Sequence, residues 1–270
     1  MYMDTHTPPN MFHISEGTLH NFRDSVDTVF VPEGVETLGP RAFQGCNFTT
    51  IVFPSTLKHI GDHAFERCSL TTLRIPMGVT LGKHAFRLCT RLTDVTLPED
   101  LKEIPEGAFE WCTQLSEIEM PFTLQHIGQG AFIGCNLTNI ELPCKTIAEK
   151  AFKGCLHLTR VFLSPDLERI GAHAFQGCTH IDAIDIPDKA VLEHHAFQGC
   201  WRLINVFLGK HVKLGDYAFQ ECTRMPYIEL CKGTELGEHV FYDCIRLDTV
   251  NYDEHIHIPE GTFHNCKLES

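Results

Sequence analysis

The chain has 270 residues, 43% of them hydrophobic and 21% charged, which is ample apolar material for a sizeable core. Its 22 basic residues face 35 acidic ones, for a formal charge of −13. No Lys/Arg run interrupts that balance, which argues against nucleic acid or an anionic membrane as the main partner. No run of 18 apolar residues is present, so no membrane insertion is expected. Met1 to Asn10 lacks the basic region and apolar run of a secretory leader, which reads as a cytoplasmic protein, or a cell-surface one if the chain is a fragment of something longer.

The first patterned stretch is Glu16-Gly17-Thr18-Leu19-His20-Asn21-Phe22. It mirrors Glu260-Gly261-Thr262-Phe263-His264-Asn265-Cys266 at the far end, with Leu19 for the phenylalanine and Phe22 for the cysteine. Residues 1–25 therefore read as an N-terminal segment with a degenerate capping repeat, in which Phe22 plugs the exposed end. Residues 26–270 then form the repeat array. Its marker is Ala42-Phe43-Gln44-Gly45-Cys46, which returns at Phe65, Phe86, Phe109, Phe132, Phe152, Phe175, Phe197, Phe219, Phe241 and Phe263. The separations are 22, 21, 23, 23, 20, 23, 22, 22, 22 and 22 residues. A period this narrow means stacked coils sharing one elongated core, with no internal domain boundary.

One unit shows the grammar. Leu92, Val95 and Leu97 alternate at their end as a strand does, and Pro98 follows at once, ending the strand because it has no donor to continue a ladder. The apolar spacing then loosens through Leu101 and Ile104, which suggests a turn or short helical return before Ala108-Phe109 and Cys112. In stacked coils Val95 should lie beside Ile118, and Ile118 beside Ile140. Eleven of the 13 cysteines belong to the marker, and no Cys-x-x-Cys pair exists. They read as buried thiols filling a tight corner, poorly aimed for disulfides. At the far end Leu268 should open another strand with no polar cap after it, which leaves end-to-end self-association open.

The units Leu137-Thr138-Asn139-Ile140-Glu141-Leu142-Pro143 and Leu167-Glu168-Arg169-Ile170-Gly171-Ala172-His173-Ala174-Phe175-Gln176-Gly177-Cys178 carry a resemblance. The pattern L-x-x-I-x-L-P followed by I-G-x-x-A-F-x-x-C resembles the BspA-like class of leucine-rich repeats, over residues 26–266. The resemblance implies a β-rich α/β solenoid, a right-handed superhelix with one parallel strand per coil of about 22 residues and the sheet on its concave side. It also implies an adhesion or protein-interaction module, in many relatives at the cell surface.

Function must be written where the repeat varies. The strand positions between core residues should face outward from the sheet. There Asp94, Glu117, Glu119 and Glu141 make an acidic middle. Farther along, Arg160, Phe162, Asp185, Asn205, Phe207, Tyr227 and Glu229 mix aromatic rings with charges, the composition that protein interfaces favour. These seven are the candidate partner-binding residues. Exposed Phe162, Phe207 and Tyr227 would equally serve as platforms for sugar rings.

Histidine is abundant, 17 in all, and His63, His84, His173, His195 and His239 recur two residues before the marker phenylalanine. A metal ladder is one reading, but Arg41, Gly107, Gly130, Lys150, Tyr217 and Gly261 share the column and break any run of ligands. The glycines at 45, 134, 154, 177 and 199 look like turn punctuation rather than a phosphate loop. Glu117 and Glu119 share a strand face, yet an open sheet offers no pocket to tune a pKa. The expectation is a non-enzymatic module without cofactor or metal, which binds a protein on its concave face. Carbohydrate or matrix adhesion is the alternative, followed by a structural spacer.

Overall fold

The computed structural model describes residues 11–23 and 26–268. Most coils supply a longer strand and, on the opposite side of the turn, a two-residue strand. The longer ones are Thr28–Phe30, Thr50–Val52, Thr72–Arg74, Asp94–Thr96, Asn139–Leu142, Arg160–Leu163, Ala183–Ile186, Asn205–Leu208, Tyr227–Leu230 and Thr249–Tyr252. Their residues alternate between core and surface, as in Asn205–Leu208, where Val206 and Leu208 are buried and Asn205 and Phe207 exposed. The two-residue strands run from Thr37–Leu38 to Glu235–Leu236. They pair in parallel from coil to coil, for instance Ile147 with Ile170. Seven of them, Glu103–Ile104 to Glu235–Leu236, make one unbroken ladder.

No helix forms among the described residues, so the solenoid is all-β and right-handed, and the expected α/β class with a single strand per coil is corrected. The backbone around the marker supplies the reason. Two residues before each phenylalanine the chain is left-handed, whether the residue is Arg41 (φ 59°), His84 (φ 54°), Gly107 (φ 59°), Lys150 (φ 58°) or Tyr217 (φ 55°). Two residues after it the chain is left-handed again, at Gly45 (φ 73°), Leu88 (φ 59°), Trp111 (φ 59°) and Asn265 (φ 58°) among others. Two such residues within five positions cannot join a right-handed helix. The amides look to the next coil instead: Phe43 N–H donates to the Ala64 carbonyl at 2.8 Å, and Phe65 N–H to that of Ala85 at 2.8 Å.

The core is a column of rings. From Phe43 to Phe263 each marker phenylalanine stacks on the next with centroids 5.0–5.7 Å apart and planes within 11° of parallel. The cysteine beside it has a specific task. From Cys68 to Cys266, each thiol donates to the carbonyl of the preceding coil's phenylalanine, as Cys89 does to Phe65 at 3.1 Å and Cys178 to Phe152 at 3.1 Å. A thiol is small and apolar enough for a dry corner yet still supplies a weak donor. All 13 cysteines are free, and burial pushes the Cys89 thiol up to about 12.

The N-terminal stretch departs from its sequence mirror. Phe12–Ser15 and Thr18–Phe22 form an antiparallel hairpin, and Leu19 pairs with Leu38 in the two-residue-strand ladder rather than standing in the phenylalanine column. Phe22 heads that column, buried against Phe43 and Phe48 at centroid distances of 5.4 and 5.8 Å. Because the hairpin closes the end with its own backbone pairing, Leu19 and Phe22 need not copy the spacing of a full coil.

The long-strand face is not the continuous eleven-strand sheet that the repeat suggests. Ladder pairing lapses between Thr50–Val52 and Thr72–Arg74 and between Asn205–Leu208 and Tyr227–Leu230, and at Glu117–Met120 the strand itself is lost, so pairing stops at Asp94–Thr96 and resumes at Asn139–Leu142. Val95, Ile118 and Ile140 are nevertheless buried in sequence order. The repeat runs long here, 23 residues on both sides of Phe109. Asp94, Glu117, Glu119 and Glu141 of neighbouring coils also line shared hollows there, and like charges brought together weaken a ladder.

Candidate functional site

All seven candidate residues project from the long-strand face into solvent. Strand alternation is the cause: Val161, Ile184, Val206 and Ile228 take the core side, so their neighbours in sequence must point away. Register then decides who meets whom. Arg160 and Asn205 flank Ala183, and Asp185 lies beside Phe207. Glu141 is the partner of Phe162.

The seven gather around two small hollows. Arg160, Phe162 and Asp185 line one of about 260 Å³, with Asp182 at its edge. Asn205, Phe207, Tyr227 and Glu229 line another of about 150 Å³, with Ile204 and Cys231 completing it. Phe162 and Phe207 are 55% and 61% exposed, and Tyr227 37%. Tyr227 is oriented by its neighbours: its hydroxyl donates to Glu229 at 3.0 Å and accepts from Asn251 Nδ2 at 3.4 Å. Partial burial and the Glu229 carboxylate hold the Tyr227 phenol above its usual range. It is therefore neutral at physiological pH, a donor with an apolar body. Cys231 is tied down as well, its thiol donating to the Leu208 carbonyl at 2.9 Å.

Sequence reasoning passed over Phe122, which is 92% exposed. The signal was present: the residue after the strand-ending proline is Ser55, Met77, Glu99 or Asp188 in several other coils, all of them exposed. The histidine column proves to be a backbone feature. His63, His84, His173, His195 and His239 occupy the left-handed position before phenylalanine, a conformation in which histidine is enriched. Among the described residues no group of three or more His, Cys, Asp or Glu side chains is arranged to hold a metal ion.

The comparison with known families decides the identity of the array. A model described as the BspA type leucine rich repeat region matches residues 13–138, 79–200 and 145–269. The chain belongs to the BspA type leucine-rich-repeat family. Solved structures share the fold at low identity. A leucine rich cell surface protein of Faecalibacterium prausnitzii A2-165 is 22% identical, with 96% of this chain and 91% of that one covered and a TM-score of 0.50. The pneumococcal vaccine antigen PcpA is 18% identical, with 87% of this chain and 72% of that one covered and a TM-score of 0.51. No curated protein matches the chain. The expectation of a cytoplasmic BspA type protein is overturned by these neighbours, one a cell surface protein and the other a vaccine antigen. The stretch on which it rested, Met1–Asn10, lies outside the described residues. No helix among the described residues is long and apolar enough to cross a membrane.

Proposed function

We propose that this BspA type solenoid is a non-enzymatic recognition module that binds another protein on its concave, long-strand face. The observation that carries the reading is the grouping of Arg160, Phe162, Asp185, Asn205, Phe207, Tyr227 and Glu229 around two adjacent hollows on strands whose other face is fully packed. Rigid rings that lose little rotamer freedom, set beside groups able to hydrogen-bond, are what interface hot spots use. The strands hold them in place before any partner arrives, which lowers the ordering cost of binding.

Phe207→Ala with Tyr227→Ala removes both exposed rings of the second hollow without touching the core. Capture of the partner in a pull-down should be lost while the circular dichroism spectrum is unchanged; undiminished capture by the double variant would refute this surface. A second reading is an adhesin that stacks sugar rings on Phe162, Phe207 and Tyr227. It is favoured by the exposure of those rings and by the description of one structural neighbour as a cell surface protein. A glycan array run beside the pull-down separates the two, and silence in both leaves a spacer.

A further inference from the structure

The lost strand at Glu117–Met120 leaves backbone groups that no other described residue uses. Between Glu117 and Met120 no amide or carbonyl takes part in a backbone hydrogen bond, and no side chain reaches one, among the described residues. On either side the neighbouring strands also lack their ladder partner, since Asp94–Thr96 pairs only back to Thr72–Arg74 and Asn139–Leu142 only onward to Arg160–Leu163. Such groups persist only where water or another polar partner can satisfy them, and an extended chain satisfies them best.

The ground around the break is hollow. One cavity of about 700 Å³ lies between Glu117–Met120 and the following coils, and another of about 880 Å³ lies between the same segment and the preceding coil. Each is within the range of peptide- and ligand-sized sites and far larger than the two hollows beyond Arg160. Their walls carry Asp94, Glu99, Glu117, Glu119 and Glu141, and no Lys, Arg or His. None of these five carboxylates forms an ion pair among the described residues, although Glu36, Glu66, Glu106 and Glu235 elsewhere on the molecule do. Apolar surface completes the lining: Phe122 stands almost wholly in solvent, and Met120 and Phe162 border the same space.

We infer that the break at Glu117–Met120 is a docking cleft for an extended, lysine- or arginine-rich polypeptide segment. Three features select that occupant. Unpaired backbone donors and acceptors call for a chain in β conformation. Five unpaired carboxylates call for cationic side chains and reject an acidic segment. Phe122 and Phe162 offer faces to apolar side chains on alternate positions and to guanidinium groups by cation–π contact. The cleft is separate from the Arg160–Glu229 surface, with Phe162 at the boundary, so the two can be lost independently.

The test uses the whole chain and an end-blocked peptide alternating lysine with valine, followed by fluorescence anisotropy. Binding is expected, weakened at least about tenfold by Glu119→Lys with Glu141→Lys and strongly weakened by added salt. Phe122→Ala, which removes an exposed ring and leaves the charges, should weaken it several-fold. The same peptide methylated on alternate backbone nitrogens should lose about tenfold in affinity against the unaltered protein, because it cannot donate to the free carbonyls. Phe207→Ala with Tyr227→Ala should bind the peptide as the natural chain does. No binding, equal binding of an alternating glutamate–valine peptide, or indifference to both the charge reversals and the methylation would overturn the cleft while leaving the Arg160–Glu229 surface untouched.

Discussion

The column two residues before each phenylalanine poses the same backbone problem eleven times, and the two halves of the solenoid solve it with different chemistry. In the first half His63 stacks on His84 at 4.9 Å, and both lean on carboxylates, His63 on Glu66 at 3.1 Å and His84 on Glu110 at 3.4 Å. Beside them Arg87 bridges Glu66 at 2.8 Å and Glu110 at 2.9 Å. In the second half His173, His195, Tyr217 and His239 form a stack at 4.9, 5.0 and 5.0 Å; the Nδ1 atoms of His173 and His195, like that of His84, are buried without a hydrogen-bond partner, but among the described residues only His84 has a carboxylate within ion-pair reach of it. Where the first half has Arg87 between acids, the second has neutral amides, Gln176 to Gln198 at 2.5 Å and Gln198 to Gln220 at 3.1 Å. One backbone geometry thus carries either an ion-pair network or a stack of neutral rings and amides. What differs is whether charge is compensated or avoided.

That contrast can be broken most sharply at Arg87. Glu66 is almost fully buried, so Arg87→Met strips a shielded carboxylate of its charged partner and should cost about 3 kcal/mol in chemical denaturation. The equivalent change in the second half, Gln198→Met, breaks only neutral hydrogen bonds and should cost about 1 kcal/mol. Equal losses would show that charge plays no special part in the first half. The sign for Glu66 follows from its opposing influences. Burial pushes its carboxyl up, but bonds from Arg87 and Gln44 and the nearby His63 and Arg87 charges outweigh that and hold it below the usual range. Its contribution is therefore complete above the ordinary carboxylate range and is lost as pH falls through the depressed folded value.

A smaller effect belongs to Gly107. A Cβ at this left-handed residue would collide with the His84 ring, which leans across it. Gly107→Ala should cost about 1–2 kcal/mol, read as a lowered melting temperature, and His84→Gly in the same chain should restore part of it. The smallest effect is acid sensitivity in the second half. Burial, with the charges of His195, His194, Lys153 and Lys150, lowers the His173 pKa; burial and His194, opposed by Asp216, lower that of His195. The unfolded chain binds these protons more readily, so their contribution is complete above about pH 6.5 and declines as pH falls. His173→Asn with His195→Asn keeps residues that tolerate the left-handed backbone. It should flatten the slope of melting temperature against pH between about 6.5 and 5. An unchanged slope would show that the stack does not titrate with folding.

Much of this was legible. Leu92, Val95 and Leu97 announced the strand, and alternation alone placed Phe207 and Tyr227 on its outer side. The glycines at 45, 134, 154, 177 and 199 marked half of a left-handed column, but Arg67, Leu88, Trp111, Glu221, Asp243 and Asn265 hid the rest, since side chains that bear the strain advertise nothing in one dimension. The histidines were visible as a column without their backbone role. The stretch after Pro98 reads as a turn or a short helical return, because apolar spacings of three and four suit a helix as well as a turn that bonds to the next coil. The break at Glu117–Met120 is masked in the sequence, because Leu115, Ile118 and Pro121 keep the spacing of Leu92, Val95 and Pro98 in a coil whose strand forms.

The amino-acid sequence by itself determined the coil count, the phenylalanine and cysteine columns and which strand residues turn outward, because burial periodicity is a property of one coil repeated. Only the tertiary structure decided that the return is strand and turn rather than helix, that each thiol holds the preceding coil's phenylalanine carbonyl, and that the long-strand face opens at Glu117–Met120. Each of these rests on hydrogen bonds between coils, and a bond between residues some 22 positions apart depends on how two coils meet, which no single stretch of sequence encodes.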